Sequence, residues 1–211
     1  MLVLILTASS QAALFGLIKT KKNDAPVVVK QSLVIFPFDK DIESAQGVPD
    51  QFGDNIAGYL RTALANSKGY SAYLYDARLM PIKRAVNDNY MREPDTKAPY
   101  FAEKQKSAKL AQLLAANCYI IGSIEGYTYD KAKKTVELTL KADLIQADSG
   151  RMVQEFLVAA TAGDGNQAAE EDELRSLAAG KAVTALTEKI LGTSPADVKA
   201  KTAEKPAKKK K

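Results

Sequence analysis

The chain has 211 residues, 46% of them hydrophobic, which is enough for one sizeable buried core. It contains no histidine, and this removes the usual general base near neutral pH, the Ser-His and Cys-His pairs and most zinc sites. A single cysteine cannot form an internal disulfide. These exclusions favour a protein that is not an enzyme, and we predict no cofactor and no metal.

The net charge of +5 belongs to the C-terminal end of the chain. Residues 197–211 hold seven Lys against Asp197 and Glu204, so the rest of the chain is balanced at zero. Because residues 193–211 have little apolar surface to offset their ordering entropy, we predict a disordered Lys-rich tail. The tail is either solubilising or makes weak electrostatic contact with an anionic polymer or lipid headgroups. No specific nucleic-acid binding is expected from a neutral body.

The N-terminal end has the pattern of a secretory signal. The apolar run Leu2–Leu6 is followed by small residues, although no Lys or Arg precedes it. We predict a cleaved signal peptide at 1–13, a linker at 14–30 and a domain at 31–192, and the alternative is an N-terminal element that packs on the body. No cysteine follows the apolar run, so we expect an exported protein without a lipid anchor on an N-terminal Cys.

The first half of the domain alternates strands and helices. The predicted elements are a strand at 33–38, a helix from Asp50 to about 68, a strand at 70–75, a surface excursion at 76–98 with a short helix near Pro81, and a helix that Pro99 opens. The first strand is a continuous apolar run, typical of a strand buried on both faces. Two strands joined through a helix are expected to be parallel neighbours.

The second half reads as a meander followed by a helix. Strands are predicted at 118–125, 136–144 and 151–163, with tight turns between them, and a last helix runs from Asn166 to about 191. In the middle strand, apolar residues alternate with Glu137, Thr139, Lys141 and Asp143, which predicts one wet face. The fold class is therefore α/β with an α+β tendency: a single sheet with a parallel β-α-β start, a C-terminal antiparallel three-stranded meander and helices on its faces.

The stretch LLAANCYIIGSIEGY, residues 113–127, raises the question of a thiol or phosphate site. Its glycines, Gly122 and Gly126, fall inside a strand, whereas a phosphate loop needs helix N-terminal amides directly after it. We therefore interpret the glycines as strand kinks or points of close backbone approach. Cys118 follows a helix C-terminus, which does not lower a thiol pKa, so it is predicted to be a small buried hydrophobe.

Two short motifs carry a resemblance to a known family. Leu33–Asp39 (LVIFPFD) and Leu110–Ser123 resemble the CsgG and TolB-N-terminal-like group of bacterial envelope domains, which includes the curli-secretion channels and the lipoprotein activators of penicillin-binding proteins. The resemblance covers residues 31–191 in order of elements and carries over no catalytic residue. A pore is disfavoured because the loop Asp130–Lys134 and the turn Asp148–Gly150 are short and polar.

The resemblance implies a non-catalytic, exported interaction or assembly module of the periplasm or outer envelope. Its partners would be other envelope proteins, with a homo-oligomer as a further possibility. The candidate interaction surface consists of the tyrosines Tyr90, Tyr100, Tyr127 and Tyr129. The alternative is a small-ligand or nucleotide-binding regulatory domain with a site at Asp39 and Asp41, where the first strand ends.

Overall fold

The computed structural model describes residues 30–163 and 170–192, so the predicted signal peptide, nearly all of the linker, Asn166 and the Lys-rich tail lie outside it. The strands are β1 (Gln31–Ile35), β2 (Asp39–Lys40), β3 (Tyr70–Leu74), β4 (Cys118–Asp130), β5 (Thr135–Gln146) and β6 (Met152–Gly163). The helices are α1 (Phe52–Ala65), α2 (Met80–Asn87), α3 (Lys104–Leu113) and α4 (Glu171–Gly192), and a 3-10 turn covers Glu93–Thr96.

The described strands form one mixed sheet in the order β3-β1-β4-β5-β6, with the short β2 beside β4. β1 is parallel to both β3 and β4, whereas β4, β5 and β6 pair as an antiparallel meander. The α/β fold class is confirmed, as are the parallel first two strands and the C-terminal meander. Among the described helices, none is both long and apolar enough to cross a membrane.

One face of the sheet is covered by α1 and α4, and we call it the α1/α4 face. Its core is mostly aliphatic, and a single cluster includes residues of β1, β4, β5 and β6. The predicted first helix, α1, turns an apolar stripe to this core, since Ile56, Leu60 and Leu64 are all fully buried. Because each buried Leu or Ile stabilises the fold by about 1.5–3 kcal/mol, this face contributes most of the hydrophobic stabilisation.

The opposite face is covered by α2, α3 and the loops around them, and we call it the α2/α3 face. Its core is smaller and rich in aromatic rings. Phe36 stacks on Tyr75 with ring centroids 4.6 Å apart, and Tyr100 lies 5.1 Å from Phe36. Tyr119 meets Phe36 edge-on at 6.0 Å. Ring pairs in these geometries add about 0.5–1.5 kcal/mol each beyond the area that they bury.

Two local predictions are corrected. Pro99 does not open a helix, because α3 begins at Lys104 and residues 98–103 form a connection. The amides of Tyr100 and Phe101 in this connection donate to the Asp39 carboxylate, which holds the chain against the sheet. The predicted first strand ends at Ile35 and not at residue 38, and the separate β2 begins at Asp39, since Pro37 between them has no N–H to offer a ladder.

Candidate functional site

The glycine-dotted segment after Asn117 is interior structure. Cys118 is completely buried in β4, and burial raises the pKa of its thiol to about 11. A Cβ at Gly122 would lie 2.4 Å from the Phe38 ring and 2.7 Å from the carbonyl oxygen of Lys141. The register of β4 against β5 shifts between Ile124 and Gly126. Gly122 is therefore a point of close approach, and Gly126 lies at a strand irregularity.

A cavity of about 370 Å³ lies beyond the C-terminal end of β1, beside β2 and Ile124 of β4. β3 pairs with one side of β1, and β4 pairs with the other side. The cavity therefore lies at the topological switch point of the sheet, where α/β proteins commonly bind ligands. Three carboxylates line it, from Asp39, Asp50 and Asp54. Asp50 does not cap α1 as its position predicts; its carboxylate instead pairs with the Lys40 ammonium at 2.9 Å.

The carboxylates of Asp39 and Asp41, the predicted ligand site, accept hydrogen bonds from main-chain amides of the protein itself. Asp39 lines the cavity, but its two oxygens accept the amide hydrogens of Tyr100 and Phe101. Asp41 is not part of the cavity lining; it accepts hydrogen bonds from the hydroxyl and the amide of Ser44, and the hydroxyl bond lowers its pKa. The structure therefore does not bring the two carboxylates together around one ligand position.

Two of the four candidate tyrosines are buried and therefore cannot belong to an interaction surface as the sequence suggested. Tyr100 is 6% exposed within the aromatic cluster, and its hydroxyl donates to the Thr96 carbonyl. Tyr127 is 8% exposed, and its hydroxyl donates to Glu171 of α4 at 2.8 Å. The reason is that β4 continues to Asp130, so Tyr127 lies within a paired strand that faces a helix. Burial raises the pKa of both phenols.

The other two tyrosines retain accessible rings but lie on opposite faces. Tyr129 is partly buried against the core of the α1/α4 face. Tyr90 follows α2 on the α2/α3 face, and 73% of it is exposed. The four tyrosines therefore do not form one surface, and Tyr90 alone among them presents most of its ring to solvent.

The backbone at Tyr90 is fixed by the end of α2. Asn89 adopts a left-handed conformation with φ of 58°, and its amide donates to Val86 while the Tyr90 amide donates to Ala85 at 2.8 Å. This pair of bonds is the Schellman ending of a helix, with Asn at the position that usually takes Gly. The Tyr90 carbonyl also accepts from the Lys109 ammonium at 2.8 Å. The exposed ring thus stands on a well-restrained main chain.

A polar cluster that the sequence pattern missed lies where α3 meets the sheet. Asp143 is completely buried, whereas the alternation along β5 predicts it on a wet face. One carboxylate oxygen accepts from the Lys104 ammonium at 2.7 Å, and the other has no hydrogen-bond partner among the described residues. The Lys104 side chain reaches Asp143 from the start of α3, and strand alternation alone carries no signal of such a contact.

The neighbouring lysine is held in its charged form. Lys141 pairs with Glu155 at 3.2 Å, and this contact raises the Lys141 pKa. Ser123 is the cross-strand neighbour of Lys141, but its hydroxyl donates to Glu125. A Ser-Lys nucleophile pair needs a neutral lysine as its base, so this arrangement does not activate the serine.

Within the described ranges, no group of three or more His, Cys, Asp or Glu is arranged to hold a metal ion. The fold and these geometries define an α/β domain with a single mixed sheet, a switch-point cavity and the exposed Tyr90 on a fixed backbone.

Comparisons with known proteins place this fold among solved structures. No family model matches the chain, and no curated protein matches it in sequence. It is similar to the hypothetical protein CT253 from Chlamydia trachomatis, with 11% identity over 80% of this chain and 99% of that one, at a TM-score of 0.51. It is also similar to the PelC dodecamer from Paraburkholderia phytofirmans, with 13% identity, coverage of 78% and 89%, and a TM-score of 0.50.

A weaker likeness is to the LpoB C-terminal domain from Salmonella enterica, with 14% identity, coverage of 64% and 92%, and a TM-score of 0.44. At these identities the shared property is the fold. The resemblance to the CsgG and TolB-N-terminal-like group stays a prediction.

Proposed function

We propose that the protein is a non-catalytic interaction or assembly module of the bacterial cell envelope that docks a protein partner around Tyr90. The observation that carries the proposal is an exposed aromatic ring on a restrained backbone. Tyr is among the residues that dominate binding energy at protein interfaces. Because the Tyr90 main chain is already fixed by α2 and Lys109, docking orders little beyond the side chain itself.

The chemistry of the described ionisable groups supports a module that does no catalysis. The Cys118 thiol is buried with a raised pKa, and Lys141 is held charged by Glu155. The Asp39 and Asp41 carboxylates are occupied by local hydrogen bonds. These groups therefore serve as structural contacts, and none is set up as a nucleophile or as a general base.

An envelope location and self-assembly are parts of the same proposal. The resemblance of residues 31–191 supports an exported protein that works beside other envelope proteins. The fold likeness to a PelC dodecamer supports a homo-oligomer as one form of assembly. N-terminal sequencing of the exported protein tests the predicted signal peptide, and an intact Met1 in a cytosolic fraction would contradict export. Deleting Pro206–Lys211 tests the tail; unchanged envelope binding at low salt would leave the tail without a docking role.

Site-specific crosslinking tests the docking surface. A photo-crosslinking amino acid at Tyr90 of the full chain, in the native envelope, is expected to yield a defined adduct that mass spectrometry identifies. The matched position is Tyr59 on α1, which is 42% exposed and lies on the other side of the sheet. Tyr90→Ala should abolish co-purification of the captured partner, whereas Tyr59→Ala should not. Equal capture from both positions, or capture that survives Tyr90→Ala, would contradict the proposal.

A second candidate function is small-ligand binding in the switch-point cavity, which its position and volume favour. The lining carboxylates suit a cationic or metal-associated ligand, but the Asp39 oxygens are already engaged. Titration with magnesium nucleotide or with calcium should raise the melting temperature if the cavity binds either. Asp54→Asn, which changes a lining carboxylate, should remove that shift. A melting temperature that both probes leave unchanged would reject this candidate.

A further inference from the structure

β6 forms one edge of the described sheet, and an edge strand can pair with a strand of another molecule. It is twelve residues long and pairs with β5 on one side only. A long unpaired strand edge offers main-chain donors and acceptors to any other strand, including the same strand of a second molecule. A protein that is concentrated in an assembly therefore needs to protect such an edge.

Two lysines of α4 contact the main chain of this edge. The Lys181 ammonium donates to the carbonyl of Thr161 at 3.0 Å, and the Lys189 ammonium donates to the carbonyl of Leu157 at 2.8 Å. The lysines are eight residues apart on a helix, a rise of about 12 Å. The two carbonyls are four residues apart on a strand, about 13 Å. The spacing of the two lysines along α4 therefore matches the spacing of the two carbonyl groups along β6.

The contacted carbonyls are those that an added strand would use. Hydrogen-bonding groups of successive strand residues point to alternate sides, so Leu157, Ala159 and Thr161 share one side. The lysine contacts identify that side as the free edge, because α4 and not β5 supplies the donors. Two of the three acceptors in this stretch are thus already occupied within the same chain.

We propose that Lys181 and Lys189 close the free edge of β6 against strand addition by a second copy of this chain. A twofold pairing centred on Ala159 would set Leu157, which is 59% exposed, opposite Thr161 of the partner subunit. To form it, each chain must give up its two ammonium contacts, and four like charges are brought together. The lysines thus oppose the pairing by occupying acceptors and by repulsion.

The other edge of the sheet is partly closed in a similar way. The Ser67 hydroxyl accepts from the Tyr70 amide and donates to the Tyr70 carbonyl, both at 3.2 Å, at the start of β3. Side chains of the same molecule therefore engage main-chain groups at both sheet edges. The closure of β6 does not depend on the function proposed above.

The test is self-association of the full chain with Lys181→Ala and Lys189→Ala together. Light scattering after gel filtration, over a range of concentrations, should show an association constant at least about tenfold larger than that of the wild type. The matched control is Lys97→Ala with Lys133→Ala, which removes the same charge from two exposed ion pairs elsewhere and should behave as the wild type.

Adding Ala159→Pro to the double variant identifies the surface. Proline removes an outward amide without touching the ladder to β5, so the extra association should disappear. Equal association constants in the double variant and the wild type would overturn the proposal, as would association that persists with Ala159→Pro. Circular dichroism verifies folding, and Lys181→Gln with Lys189→Gln, whose shorter amides do not reach the edge, replaces the alanine pair if that pair is unfolded.

Discussion

The two faces of the sheet differ in how the helices and loops that cover them are attached to the sheet. On the α1/α4 face, two long helices bury a continuous aliphatic cluster. On the α2/α3 face, shorter helices and loops cover stacked aromatic rings, and carboxylates of the sheet hold the cover at Asp39 and Asp143. Aliphatic burial is non-directional and contributes stability, whereas polar anchors specify position. The exposed Tyr90 belongs to the face whose cover is positioned by polar contacts.

The largest expected effect separates two tyrosines of the α2/α3 face. Tyr100→Ala removes a ring from the aromatic cluster and should lower the free energy of unfolding by about 3–5 kcal/mol. Tyr90→Ala removes a solvated ring and should change it by less than about 0.5 kcal/mol. Urea unfolding of both variants measures the difference. Similar losses would mean that Tyr90 is also a structural residue, and its proposed docking role would then be untenable.

The next effect concerns how closely α1 approaches the end of β1. A Cβ at Gly53 would lie 2.0 Å from the main-chain oxygen of Phe38, so Gly53→Ala must displace the start of the helix. We expect a loss of about 3 kcal/mol in the free energy of unfolding.

The matched control is Gly180→Ala in α4, where a Cβ would meet no atom within 4 Å. Because Ala has a higher helix propensity than Gly, Gly180→Ala should raise the free energy of unfolding by about 0.5–1 kcal/mol. If both glycines tolerate alanine, the first turn of α1 is not packed against Phe38 as described.

A third prediction tests the polar anchor at Asp143. Lys104→Met leaves the buried Asp143 carboxylate without its cation and should lower the free energy of unfolding by about 2 kcal/mol. The loss is smaller than for a fully buried pair because the Lys104 side chain is 46% exposed. Combining it with Asp143→Leu removes the uncompensated charge and should return stability to within about 1 kcal/mol of the wild type. Additive losses in this double-mutant cycle, measured by chemical unfolding, would show that the two groups do not act as a pair.

Patterns that depend on one element were predictable from the sequence. The apolar stripe of α1, the alternation along β5 as far as Ala142 and the role of Gly122 as a close approach each follow from local periodicity and from the position of a glycine within a strand. The parallel pairing of β1 with β3 and the antiparallel meander followed from crossover handedness and short turns, whereas the pairing of β4 with β1 was not predicted. These rules require no knowledge of which loop covers which face.

Features that depend on two distant elements were not predictable. Tyr127 is buried because Glu171, 44 residues later, brings α4 across it. Asp143 is buried because the start of α3 reaches over β5, and Asp39 became an anchor because residues 98–103 fold back to it. The Tyr90 site had a usable signal in the Asn89 that ends α2, since Asn tolerates the left-handed conformation of a helix end. The periodicity of apolar residues within one element does not indicate which distant element will pack against it.

The smallest effect concerns Cys118, on the α1/α4 face. Burial raises its pKa to about 11 from an ordinary value of 9.0, so the unfolded chain loses this proton first as pH rises. The folded state is therefore destabilised between pH 9 and 11, and the free energy of unfolding should fall by about 1 kcal/mol between pH 8 and pH 10.

Cys118→Ala should remove this part of the alkaline loss. The buried tyrosines Tyr75 and Tyr119, whose pKa is raised to about 12, contribute equally to both proteins and cancel in the difference. The pKa of Tyr70 is raised mainly by burial and in part by the charge of Cys118, so a small part of the difference belongs to Tyr70. Urea unfolding at pH 8 and pH 10 measures the two slopes. An identical loss in the variant, or rapid labelling of native Cys118 by a thiol reagent at pH 8, would show that the thiol is accessible and would reopen the question of a reactive group in this strand.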